Sequence, residues 1–203
     1  EPRQLIVGTP PPPETCNGLD DDGDGRIDNV GTTQMGCMRE IFHFVRSNDS
    51  GNYRLQWSGN GGIGTPGVAP AAPANYKDSA FMATEGRHPS FLLYHDSYGI
   101  SGLTRLYWCF RDQYPFDNLY TTNWQAECGS YAQKGETNYI GYIFTGDPGA
   151  SWDYATWLYS PYYGSPDKTS PLLRIRKPDT NQHMFTAFEP TITDRVSNGW
   201  CCE

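Results

Sequence analysis

The chain predicts a mainly β fold, a body of three related units with short helices, preceded by a small acidic loop module. Three observations lead there. From Met38 onward the sequence is rich in Tyr, Trp, Phe, Gly and Asn, and its short apolar runs are cut by turn residues with no sustained helical period. Similar segments return along that body, the sign of a repeat whose units cannot bury their apolar faces alone. Between a proline run and the body lies an acidic stretch with aspartates at alternate positions.

Taken in order, Gln4, Leu5, Ile6 and Val7 form a short apolar run that reads as a strand within residues 1–8. Residues 9–13 are Thr9 and four prolines, a stiff polyproline II spacer rising about 3 Å per residue. Residues 14–37 hold Glu14-Thr-Cys-Asn-Gly-Leu-Asp-Asp-Asp-Gly-Asp-Gly-Arg-Ile-Asp28. Asp20, Asp22 and Asp24 can aim at one point, Gly25 allows a sharp turn, Arg26 offers its backbone carbonyl and Asp28 a further oxygen. Several carboxylates held this close call for a hard cation, so a structural calcium ion is expected, with the loop gaining its order from the ion. An EF-hand would end the loop on a bidentate Glu, but that position is Gly31, and no helix-like segment flanks it.

The spacing resembles the acidic loops of thrombospondin type 3 and dockerin repeats. With its leading Glu14, Cys16, Asn17 and Gly18, it is most similar to the acidic metal-binding motif of bacterial cell-surface proteins, over residues 14–30. Some members of that family carry a second Cys where this chain has Gly23. Oxygens beyond the aspartates are expected from Glu14, Asn17 or water.

Residues 38–203 carry the repeat. Leu103-Thr-Arg-Leu-Tyr-Trp, then Asp117-Asn-Leu-Tyr-Thr-Thr-Asn, lines up with Leu172-Leu-Arg-Ile-Arg, then Gln182-His-Met-Phe-Thr-Ala. Ile41-Phe-His-Phe-Val-Arg46 with Asn52-Tyr-Arg-Leu-Gln-Trp57 is a more diverged copy. Three such units are expected to close around a pseudo-threefold axis, in a trefoil-like or small propeller-like body. The unit resembles a family of secreted bacterial and fungal repeats of unsettled function, which implies an extracellular, non-catalytic module. The third copy stops short of the strand that Gly135-Glu-Thr-Asn-Tyr-Ile-Gly-Tyr-Ile-Phe144 supplies to the second. Glu1-Pro-Arg-Gln-Leu-Ile-Val-Gly-Thr-Pro10 is similar in order and character, so the N-terminal strand completes either its own third unit or a neighbour's. Strand donation to a neighbour does not close on itself, so copies of the chain would form a head-to-tail homopolymer.

A formal net charge of −8 argues against nucleic acid, and no apolar run approaches the roughly 20 residues that span a bilayer. Glu1-Pro-Arg-Gln-Leu5 reads as a mature terminus left by removal of a leader. The six cysteines form no CxxC pair, so oxidation outside the cell is expected rather than zinc binding. The best pairing joins Cys16 to Cys37, closing the acidic loop, and Cys109 to Cys128 within one unit; Cys201 and Cys202 form a vicinal bridge or pair elsewhere.

No enzymatic activity is expected. In His95-Asp96-Ser97 neighbouring side chains on a strand would point to opposite faces, and Gly99-Ile-Ser-Gly102 lacks a nucleophile elbow. His43 and His183 read as structural histidines in strands. Aromatic residues make up 14% of the chain, enough to furnish both a core and sugar-stacking platforms on a cell-surface adhesion module. Asn48-Asp-Ser50 fits the N-glycosylation sequon in a turn. The leading expectation is therefore a secreted, calcium-stabilised structural protein, a subunit of an extracellular fibre; carbohydrate binding is the alternative.

Overall fold

A computed structural model describes residues 10–17, 19, 21–23, 37–57, 70–78, 91–144, 172–186, 197 and 199–202. These residues are mainly β. In chain order the strands are β1 (Met38–Arg46), β2 (Asp49–Trp57), β3 (Tyr76–Asp78), β4 (Phe91–Tyr94), β5 (Leu103–Arg111), β6 (Asp117–Thr121), β7 (Tyr139–Phe144), β8 (Leu173–Lys177), β9 (Gln182–Thr186) and β10 (Cys201–Cys202). One helical turn, α1 (Trp124–Glu127), follows β6; the Asn123 side chain caps it by accepting from the Ala126 N–H. Residues 10–13 are exposed and lie outside any strand or helix.

Three antiparallel hairpins are formed by β1 with β2, β5 with β6, and β8 with β9. The first two belong to one seven-stranded sheet ordered β2-β1-β4-β7-β5-β6, with β3 beside β1. They join where Tyr94 of β4 pairs with Tyr142 of β7. The third hairpin forms its own sheet, ordered β10-β8-β9. In each hairpin the leading strand is central, flanked on its far side by β4, β7 or β10. The trailing strands β2, β6 and β9 contact one another, so the hairpins meet along these three strands.

Burial explains why β1 and β6 break the half-buried alternation of a surface strand. Ile41, Phe42, His43, Phe44 and Val45 are all buried, as is every residue of β6. Ile41, Leu55, Leu93, Leu106, Leu119, Tyr120, Ile140 and Phe185 make the main core, which draws on both sheets. A second cluster, Val45, Tyr53, Ile175, Met184 and Trp200, fixes the third hairpin to the first.

Disulfides join Cys16 to Cys37 and Cys109 to Cys128. The first carries the start of the acidic loop onto the body, where Cys16 packs with Met38, Tyr94 and Ile100. The expected vicinal bridge does not form, for Cys201 keeps a free, exposed thiol. Its backbone pairs with Arg176 in an extended ladder, a geometry that aims neighbouring Cβ atoms to opposite faces.

Candidate metal centre and buried polar junction

The acidic loop is built by side chains that bond its own backbone. Glu14 is buried, and its Oε1 accepts from the Asp22 N–H at 2.9 Å. Asp21 Oδ2 accepts from the Thr15 N–H at 3.1 Å, the Thr15 hydroxyl at 2.7 Å and Asn17 Nδ2 at 3.0 Å. The Leu19 N–H donates to Asn17 Oδ1 at 2.8 Å. Bonding to the Thr15 hydroxyl, then to the Asn17 amide, holds the Asp21 carboxyl below its ordinary range. Gly23 adopts φ +72°, with nothing within 4 Å of where a Cβ would stand. The position therefore demands glycine for its backbone rather than for space.

Asp21 thus serves the scaffold, and of the expected ligands Asp22 is half-buried beside it. Asp20, Asp24, Arg26 and Asp28 lie outside the described residues, as do Gln4, Leu5, Ile6 and Val7. Among the described residues, no group of three or more His, Cys, Asp or Glu side chains could hold a metal. The donor set of the sequence is all oxygen, the chemistry a hard cation takes.

A second constellation lies where β2, β6 and β9 meet. Asp117, at 0% exposure, opens β6, and His183 is the second residue of β9. Asp117 Oδ1 accepts from the His183 N–H at 2.7 Å, and Oδ2 lies 2.6 Å from His183 Nδ1. The Tyr131 hydroxyl also donates to Oδ2. One residue on, Asn118 Nδ2 donates to Asn52 Oδ1 of β2 at 3.3 Å and to the Tyr76 hydroxyl at 3.2 Å, while Asn118 Oδ1 accepts from Trp108 Nε1 at 2.8 Å. The Tyr120 hydroxyl accepts from the Leu55 N–H at 2.8 Å, and burial pushes its phenol well above the ordinary value. Gln182 Nε2 bonds the Phe116 carbonyl at 3.0 Å, and Arg174 bonds Glu127 of α1.

This network fastens the hairpins through buried polar groups, whose loss leaves stranded partners. The acid and base at its centre are both buried and join β6 to β9. His95, Asp96 and Ser97 lie just past the end of β4. The His95 ring contacts the Tyr98 hydroxyl, and Asp96 accepts from the neighbouring Ser97 N–H at 2.6 Å. Asn48 is exposed in the turn between β1 and β2, where its Oδ1 accepts from Arg46 Nε at 3.2 Å. Of the tryptophans, Trp200 is buried and Trp108 and Trp124 pack against the main core.

The sequence reading passed over Asp117 and Asn118 as site residues. The available signal was the likeness of Asp117-Asn-Leu-Tyr-Thr to Gln182-His-Met-Phe-Thr, which sets the pair opposite Gln182 and His183. No family model matches the chain, and no curated protein or solved structure matches it either.

Proposed function

We propose that the protein is a secreted, calcium-stabilised structural protein, a subunit of an extracellular fibre assembled head to tail by its N-terminal strand. One observation carries the reading. Among the described residues the β10 ladder on β8 covers Arg176 and Ile175, whereas the β7 ladder runs along β5 from Leu103 to Tyr107. A strand made by Gln4, Leu5, Ile6 and Val7 has the apolar character to extend the pairing along β8. A pseudo-threefold body is supported by the three like hairpins whose trailing strands meet. The oxidised pairs support export, since such bonds persist outside the cytosol. For the ion, the support is the oxygen-only spacing of Asp20, Asp22, Asp24, Arg26 and Asp28, with Asp21 turned to the scaffold. The family resemblances point the same way.

Negative-stain microscopy tests the assembly. Regular filaments from the intact chain, absent after deletion of residues 1–8, are the expected result; monodisperse monomers at high concentration refute it. A second reading, carbohydrate binding at a cell surface, is favoured by Tyr114. It is 77% exposed and edge-on to Phe116, the position of a stacking platform rather than a core ring.

A further inference from the structure

We infer that the surface around Tyr114, Arg46 and Arg54 binds a carboxylated polysaccharide, a uronate polymer; this deepens the carbohydrate reading and is independent of fibre assembly. Arg46 stacks on the Phe116 ring with its guanidinium carbon 3.6 Å from the centroid. Arg54 stacks on Trp108 at 4.6 Å. Both also reach the Tyr76 ring, at 5.9 and 5.7 Å, so the two cations share one aromatic neighbour. Tyr114 stands at the margin, 6.3 Å from Phe116.

Two features separate this surface from ordinary decoration. The chain carries 23 acidic against 15 basic residues, yet among the described residues no carboxylate lies within ion-pair distance of Arg46 or Arg54. Among the described residues Arg46 has Asn48 as its polar partner, and Arg54 meets the rings of Tyr76 and Trp108. Arg111 by contrast is a strut. It donates to the carbonyls of Pro115, Thr180 and Asn181 and so holds the loop that presents Tyr114 and Phe116. Arg111 therefore braces the loop beside the two arginines, which have no carboxylate partner among the described residues.

The ligand follows from that chemistry. A guanidinium lying flat on a ring keeps its N–H edge outward, shaped for bidentate contact with a carboxylate. The faces beside it suit the C–H face of a pyranose. A uronate polymer offers both, one carboxylate per sugar. Nucleic acid carries a denser row of phosphates, which the net charge of −8 repels. The more distant acidic side chains are screened beyond about 8 Å at physiological ionic strength, so they do not cancel a contact at the platform.

The test titrates the intact protein with a short oligogalacturonate, a neutral cello-oligosaccharide, dextran sulfate and polyglutamate, each chosen to avoid calcium gels. Selective binding of oligogalacturonate is expected. Arg46→Gln and Arg54→Gln should each weaken it about tenfold, the worth of one charge-assisted contact. Arg54→Lys should also weaken it, since an ammonium keeps charge but not the planar fork. Tyr114→Ala, exposed enough to spare the fold, should weaken it too, and Lys134→Gln, at an exposed lysine that bonds the Gly129 carbonyl, should not. Equal binding of dextran sulfate and polyglutamate, or indifference to the arginine and Tyr114 variants, overturns the inference. Binding of the neutral sugar alone also overturns it while leaving the carbohydrate reading intact; silence with every saccharide removes both.

Discussion

Replacing Asp117 with Ala should nearly unfold the protein, although the side chain contributes nothing apolar to the core. Its carboxyl accepts from the His183 N–H at 2.7 Å, lies 2.6 Å from the His183 ring and accepts from the Tyr131 hydroxyl. Alanine leaves three buried donors facing one another, at about 1–3 kcal/mol each. Relief from burying the carboxyl itself offsets part of that sum. Removing one member of a buried, hydrogen-bonded acid and base pair costs about 3–5 kcal/mol, so about 4 kcal/mol is the expected loss. A domain holding about 5–15 kcal/mol in all would be left marginal. Asp117→Asn keeps one acceptor and should lose about half as much. Urea unfolding followed by tryptophan fluorescence measures both. A cycle pairing Asp117→Asn with His183→Gln should show a coupling of at least about 0.5 kcal/mol, because the two residues share bonds. A loss under about 1 kcal/mol for Asp117→Ala, or strict additivity in the cycle, would show that the hairpins are held by apolar packing alone.

Calorimetric titration with calcium should show binding that Asp20→Ala and Asp24→Ala each abolish; an unchanged titration rejects the metal loop. Alkali should unfold the protein from near the ordinary phenol value of 10.0, because burial raises the Tyr120 phenol in the folded chain. Above that value the unfolded chain releases a proton the folded chain keeps, so stability falls by up to about 1.4 kcal/mol per pH unit. Tyr120→Phe should flatten this limb in a pH series of unfolding curves, and an unaltered limb would exclude Tyr120 as its source. Gly141→Ala should cost about 1–3 kcal/mol, because its Cβ would stand 2.9 Å from Leu93 Cβ and from the Tyr94 carbonyl oxygen. Gly129→Ala, with nothing within 4 Å, should be near neutral; equal melting temperatures for the two variants would contradict the close approach of β7 to β4.

The hairpins were legible wherever one strand carried a short aromatic and aliphatic run and turn residues ended it. Leu103 to Arg111 and Ile41 to Arg46 are such runs, and both became strands. The pairings of Cys16 with Cys37 and Cys109 with Cys128 were legible for a related reason, since each links residues close in the chain. β3 left almost no trace. Tyr76, Lys77 and Asp78 follow an alanine- and proline-rich stretch, and pairing with β1 alone makes them a strand. The free Cys201 was misjudged because adjacency in sequence says nothing of the extended ladder that directs its side chain.

The polar junction shows why the site was harder to read than the fold. Asp117 and Asn118 resemble the polar residues of a turn, and a strand of five buried residues is not expected to begin with them. They are tolerated because each meets its partner from another hairpin: Asp117 meets His183, 66 residues on, and Asn118 meets Asn52, 66 residues back. Neither partnership has a local signature, for both depend on how separate hairpins are placed. A buried polar strand is stable only when the hairpins are already side by side, so the same residues that stay silent in the sequence select one arrangement of the hairpins. An apolar junction would bury as much surface yet accept slipped neighbours. Paired donors and acceptors reject a slip of one residue, because that shift turns every bonded group to the opposite face.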